Sequence, residues 1–172
     1  NIAGFNYRMT ELQAAVCRVQ LNILDGLNTE RLKLVKQLNN GLREFDFLVV
    51  PEEKYDCEST YYVYPLKFLS EIAGIKREQF VEAVNAEGIN FFQGYVKPLY
   101  TQPVYQKRSL FKNGYPFSAI ENKSCRMEYN IGICPNAEKL HFDQMIINEH
   151  IRLPNTEEDV RDIINAIRKI VT

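Results

Sequence analysis

Eight residues near the start of the chain, Gly4-Phe5-Asn6-Tyr7-Arg8-Met9-Thr10-Glu11, set an amide, a cation and an aromatic ring just ahead of a helix N-terminus. Such a turn offers an anion the Asn6 amide, the Arg8 guanidinium and free backbone N–H groups, and a phosphate or nucleotide diphosphate suits it. The same residues equally make a plain turn at Asn6 and an exposed ion pair at Arg8. On chemistry alone both readings stand.

Other groups carry less. His141 and His150 are the two histidines; neither has partners at metal-ligand spacing, so no metal site is expected and each reads as structural or surface. Glu157-Glu158-Asp159 resembles a catalytic carboxylate cluster, but acidic residues at a helix N-terminus are accounted for by the helix dipole. Tyr61, Tyr62 and Tyr64 offer either a stacking platform or the packing face of a strand. Cys17, Cys57, Cys125 and Cys134 show no CxxC spacing and read as reduced thiols of a cytoplasmic protein. Phosphate loops of the GxxxxGK or GxGxxG kind are absent from the sequence, as are HExxH and GxSxG.

The elements that must position these residues follow from spacing. Thr10 and Gln13 form a capping-box pattern ahead of Leu12, Ala15, Val16, Val19 and Ile23, which predicts a helix ended by Gly26. A second helix is predicted from about Thr29 to Glu44, with Leu32, Val35, Leu38 and Leu42 on one stripe. Phe47 to Val50 is a short apolar run stopped by Pro51. Tyr61 to Phe68 alternates as a strand with Tyr62, Tyr64, Leu66 and Phe68 on one face, and Pro65 points to a sheet edge. Arg77 to Ala86 predicts a helix with Gly88 past its end. Ile89 to Phe92 is the next strand, and another lies at Met145-Ile146-Ile147. Tyr95 to Tyr129 reads as a long loop with short helical turns, a form that is usually functional or partner-contacting. Pro135 opens a short helix through Ala137, Leu140 and His141. Thr156 caps a final helix with Val160, Ile163, Ile164, Ile167 and Ile170 inward, and Arg168 and Lys169 in its last turn.

Length and composition set the frame. At 172 residues the chain suits one domain, or one domain plus a helical segment. Hydrophobic residues make up 45% and charged residues 25%, an ordinary globular balance. The net charge of -1 argues against nucleic acid as a partner. Apolar runs are far shorter than the ~18 residues of a membrane span. A soluble, cytoplasmic protein is expected. The start at Asn-Ile-Ala-Gly, without an initiator methionine, leads to the expectation of a fragment.

Gly4 to Ala15, with Gln20-Leu21 following, resembles the segment after the cofactor-binding region in the DegT/DnrJ/EryC1/StrS aminotransferases. Four later stretches resemble the same family in the same order: Tyr61 to Phe68, Glu87-Gly88-Ile89, Gly94 to Pro103, and Pro154 to Val160. The resemblance covers essentially the whole chain.

That resemblance implies a fold-type-I enzyme that uses pyridoxal 5'-phosphate and works as a homodimer. It moves an amino group from glutamate or glutamine to a keto sugar nucleotide or keto cyclitol, in polysaccharide or secondary-metabolite biosynthesis. Asn6 matches an asparagine that contacts the cofactor phosphate in trans across the dimer. Arg8 matches a basic position beside it, facing phosphate or substrate. Tyr95 falls in the loop that approaches substrate; many relatives have a His-Tyr pair there, whereas this chain has Gly94. The family's Schiff-base lysine lies upstream of the position matching Asn1. No catalytic residue is therefore assigned, and the chain alone is expected to be inactive. The implied architecture is α+β: residues 1–46 as two interface helices exposing Leu12, Val16, Val19, Leu32, Val35 and Leu38, then residues 47–172 as the small domain with a short antiparallel sheet flanked by helices. A large catalytic domain is expected to precede these residues in the whole protein and to be missing from this chain. The alternatives are a sugar dehydratase of the same family, or a non-catalytic carbohydrate-binding or interaction module.

Overall fold

A computed structural model describes residues 7–108, 110–122, 124 and 127–171. The chain opens with helix α1, Glu11–Leu42. Thr10 caps it as the sequence predicts: the Gln13 N–H donates to Thr10 Oγ1 at 3.2 Å, and the Thr10 N–H donates to Gln13 Oε1 at 2.9 Å. The expected break at Gly26 does not occur, and the two expected helices are one. A glycine inside a helix costs only about 1 kcal/mol against alanine. Thr29 does not cap a new helix either; its hydroxyl donates back to the Asp25 carbonyl at 2.8 Å, one turn earlier in the same helix.

Strand β1 (Leu48–Val49) leads to β2 (Tyr64–Phe68), the single turn α2 (Ser70–Ala73) and helix α3 (Arg77–Ala86), whose bounds are those predicted. Gly88 follows at φ +89°, a conformation open to glycine at the end of a helix. Strand β3 is Phe92–Gln93, later than the predicted Ile89 to Phe92. The Asn85 side chain explains the delay: it accepts from the Phe91 N–H at 2.8 Å and donates to the Phe91 carbonyl at 3.1 Å, taking the groups a ladder would use. The long loop contains the turn α4 (Pro103–Gln106) and short 3-10 turns. Helix α5 (Pro135–Lys139) passes into one turn of π-helix, Leu140–Gln144, then strand β4 (Met145–Asn148) and helix α6 (Glu157–Val171).

The sheet order is β1-β2-β4-β3, antiparallel throughout. The α+β class expected from the sequence holds. Pro65 is not on an edge strand, however, because β2 lies between β1 and β4. The two-residue β1 reaches only Lys67 and Phe68, so no strand lies beside Pro65 on that side, and its missing N–H costs no ladder bond.

Helices α1, α3 and α6 cover one face. Phe68 and Phe80 stack at 4.9 Å, and Phe47 meets both edge-on at 5.8 and 5.7 Å. Phe68 and Phe80 are fully buried, and each contributes roughly 1.5–3 kcal/mol of hydrophobic free energy. Only the last third of α1 belongs to this core, through Leu34, Val35, Leu38 and Leu42. Val35 and Leu38 are therefore buried rather than exposed as expected, and Leu32 is partly buried. Leu12, Val16 and Val19 do stand in solvent, at 78%, 55% and 60% exposure. No helix among the described residues is long and apolar enough to cross a membrane.

Candidate functional site

Strand β3 ends at Gly94, whose N–H donates to the Met145 carbonyl at 2.7 Å. Gly94 sits at φ +64°, and a Cβ built there would lie 2.9 Å from the His141 ring and 3.0 Å from the His141 carbonyl oxygen. Only glycine fits. The imidazole of His141 takes the space that any side chain at position 94 would need.

His141 is held by its backbone. Arg77, on α3 and almost fully buried, donates to the carbonyls of His141 at 2.9 Å, Phe142 at 2.6 Å and Met145 at 3.2 Å, and pairs with Glu78 at 3.1 Å. The carbonyls that a π turn leaves outside the α-helical ladder are thus satisfied by one guanidinium. His141 Nδ1 is sealed and lacks a partner. Burial, with Arg77 and Lys97 nearby, holds the imidazole below its ordinary value of 6.5, so it is neutral at pH 7. Sequence reasoning placed His141 in a helix and gave it a structural role. It missed Arg77, which looks like any charged residue at the start of an amphipathic helix.

Tyr95 follows directly, 47% exposed. Tyr62 first, then partial burial and the Glu149 carboxylate, push the Tyr95 phenol above its ordinary pKa. Tyr62 was expected to pack with Tyr64, Leu66 and Phe68 but is 74% exposed. Tyr61 adopts φ +47°, which breaks the strand alternation and swings Tyr62 outward while Tyr61 and Tyr64 stay buried.

The loop after Tyr95 is tied down by Glu138. This buried carboxylate accepts from Tyr100 Oη at 2.5 Å, the Gly132 N–H at 2.9 Å and the Cys134 N–H at 3.0 Å. The Tyr100 bond holds the carboxyl below its usual range, with the two backbone donors helping against burial. Burial first, then the bond to Glu138, pushes the Tyr100 phenol up to about 12. Tyr105, Phe117 and Tyr129 pack together at 5.3 to 6.4 Å and give the loop its own small apolar centre.

The N-terminal corner lies apart. Asn6 falls outside the described residues; Arg8 is exposed, just before α1. Arg31 donates to the Thr60 carbonyl at 2.9 Å, which marks where α1 leaves the body. Glu11 is 20 residues earlier, roughly 30 Å along the axis at 1.5 Å per residue. Arg8 and Tyr95 are therefore not brought together within one chain.

The remaining candidates read as structure. Asp159 Oδ2 accepts from both Thr156 N–H and Oγ1 at 2.7 Å, which lowers its pKa as part of the α6 cap. His150 is exposed, at a cleft between the end of β4 and α6. Among the described residues no group of three or more His, Cys, Asp or Glu can hold a metal ion. Cys17, Cys57 and Cys134 are free and exposed; Cys125 is outside the described residues.

Residues 1–168 match the sequence pattern of the DegT/DnrJ/EryC1/StrS aminotransferase family. The chain belongs to this family. A protein of Micromonospora echinospora whose proposed name is L-glutamine:3-amino-2,3-dideoxy-scyllo-inosose aminotransferase is 29% identical, over 98% of this chain and 40% of its own length. The spore coat polysaccharide biosynthesis protein SpsC of Bacillus subtilis is 23% identical, over 98% and 38%. Among solved structures, DesV of S. venezuelae in complex with a ketimine intermediate superposes with a TM-score of 0.73 at 21% identity, over 98% of this chain and 38% of that one. An aminotransferase from Psychrobacter cryohalolentis gives 0.74 at 19% identity, over 97% and 40%. The chain thus spans about 40% of the length of the relatives it matches. Its fold corresponds to the C-terminal part of fold-type-I aminotransferases.

The family depends on pyridoxal phosphate, which calls for a lysine able to lose its proton in an enclosed site. Every lysine among the described residues is exposed.

Proposed function

We propose that this chain is the small-domain part of a pyridoxal-phosphate-dependent enzyme that moves an amino group from glutamate or glutamine to a keto sugar nucleotide or keto cyclitol. The observation that carries this reading is the family match over residues 1–168 in a chain spanning 40% of its relatives' length, with every described lysine in solvent. The relative named for L-glutamine and an amino-inosose supports the donor and the class of acceptor.

Within that enzyme the chain supplies positioning groups. Residues 1–46 act as an arm, anchored by Leu34 to Leu42 in the domain of residues 47–172, whose outer half reaches a partner subunit. Asn6 and Arg8 at its tip donate to the cofactor phosphate or the substrate across that interface, which fits an arm roughly 30 Å clear of its own body. Tyr95, on its glycine, faces the substrate from the sheet end. When bound, the cofactor supplies the electron sink; the residues here bind, orient and exclude water.

The test compares the full-length protein with this chain. Incubation with pyridoxal phosphate and borohydride is expected to fix one equivalent of cofactor at a single lysine of the full-length protein outside residues 1–172, and to give no stoichiometric single-site adduct on residues 1–172. Amino transfer from L-glutamine is expected only from the former. A stoichiometric reduced adduct at one lysine of this chain overturns the reading.

A further inference from the structure

Tyr95 is exposed, yet the glycine before it is buried and held from two sides. The Gly94 N–H donates to the Met145 carbonyl at 2.7 Å. The His141 ring closes over the glycine, with Nδ1 and Cε1 each 2.9 Å from where a Cβ would stand. Phe142 meets that imidazole edge-on at 4.9 Å. One buried side chain joins these supports. Arg77 donates to the carbonyls of His141, Phe142 and Met145, so the carbonyl that fixes Gly94 also accepts from Arg77. Among the described residues, the buried side-chain polar atoms without a hydrogen bond are Arg77 Nε and His141 Nδ1, both in this cluster. Unpaired buried polar atoms cost stability, and native folds carry such costs chiefly at functional sites.

We propose that Arg77 and His141 are positioning residues for Tyr95. Arg77 fixes the π turn and the first residue of β4. The imidazole and the Met145 carbonyl then fix Gly94, and Gly94 at φ +64° sets the direction in which Tyr95 leaves the sheet. This rests on the reading that Tyr95 faces the substrate of an aminotransferase. Neither Arg77 nor His141 touches substrate on this account; both act through the tyrosine. A side chain at position 94 would displace the imidazole, and glycine there lets the ring serve as the support. Displacing a substrate-facing group by about 1 Å is enough to slow a reaction roughly 100-fold.

The experiment uses the full-length protein with 3-fluorotyrosine in place of Tyr95, read by fluorine NMR. One narrow line is expected in the otherwise wild-type protein. Arg77→Lys keeps the charge but loses the planar fork that reaches three carbonyls, and His141→Ala removes the ring while leaving Arg77 in place. Each is expected to shift or split the line, and His141→Ala decides alone if Arg77→Lys does not fold. A single unshifted line in a folded variant overturns the proposal. Activity is read with L-glutamine as donor and scyllo-inosose or nucleotide-linked keto sugars as acceptors. On an acceptor that the wild type turns over, His141→Ala should lower kcat/KM roughly 10- to 100-fold. In a Tyr95→Ala background the same substitution should cause no further loss, because its effect passes through the tyrosine. Equal losses in the two backgrounds would make His141 purely structural and also overturn the proposal. Absence of amino transfer by the wild type to every acceptor contradicts the aminotransferase reading, and the fluorine line still decides the positioning.

Discussion

Glu138 is buried and His141, three residues on, is half-buried with its Nδ1 sealed, and the two are in opposite states. Glu138 is ionised and saturated with donors; His141 is neutral and short of one. For Glu138, whose carboxyl is held below 4.5, the stabilisation is present above that ordinary value and is lost as pH falls through the depressed one. Glu138→Gln keeps the shape, but an amide N–H₂ in the Oε2 position faces the Gly132 N–H, and a single neutral oxygen is left for the Tyr100, Gly132 and Cys134 donors. Hydrogen exchange should show those two amides unprotected at neutral pH while β2 and β4 stay protected. Continued protection would show that the carboxylate does not hold the loop. For His141 the sign is the same but the window is higher. Its imidazole is held below 6.5, so the unfolded chain binds the proton more readily and stability falls as pH drops from about 6.5 toward the depressed value. Denaturant midpoints between pH 7 and 5 should fall in the wild type and change less in His141→Gln. Parallel profiles would remove His141 as the titrating group.

Among the elements, α1 and α6 meet most closely at Gly41. A Cβ there would lie 2.2 Å from Ile164 Cδ1 and 2.8 Å from Cγ1, and Ile164 is itself buried. Gly41→Ala gains about 1 kcal/mol of helix propensity but overpacks at a cost of about 1–3 kcal/mol. A net loss of about 1 kcal/mol is expected from chemical unfolding, and a stabilised variant would contradict this packing. At the other end of α1, Leu21 and Leu24 are 66% and 43% exposed beside Leu27. The isolated chain is expected to self-associate through this stripe, and Leu21→Glu with Leu24→Glu to render it monomeric in sedimentation. An already monomeric wild type would count against an arm made for a partner. The elements legible in the sequence were those fixed by neighbours: the Thr10–Gln13 box, the α3 bounds, the Thr156 cap. What was not legible depended on distant partners. Arg77 meets carbonyls 64 to 68 positions away, Tyr100 bonds a carboxylate 38 positions on, and Gly26 looks like a stop until the helix on both sides is seen to continue. Tyr95 was legible only through resemblance, and the exposure of Tyr62 only through the Tyr61 backbone angle.

At the scale of the molecule, the chain has a well-packed body, an arm that its own core does not cover, and no buried lysine among the described residues. These three features fit together if each subunit lends its arm to a neighbour's site. Asn6 donates one hydrogen bond to a dianionic phosphate on this account, and such bonds contribute about 1.5–3 kcal/mol, or roughly a 10- to 150-fold change in affinity. In full-length protein, Asn6→Ala should weaken cofactor binding by that factor without altering assembly. The decisive measurement mixes Asn6→Ala subunits with subunits whose Schiff-base lysine is replaced, at pyridoxal phosphate too dilute for the first parent. Each heterodimer then has one site with an intact lysine from the Asn6→Ala subunit and an intact asparagine from its partner. The account predicts amino transfer by the mixture well above that of either parent. A mixture no more active than its parents would show that Asn6 does not act across the interface.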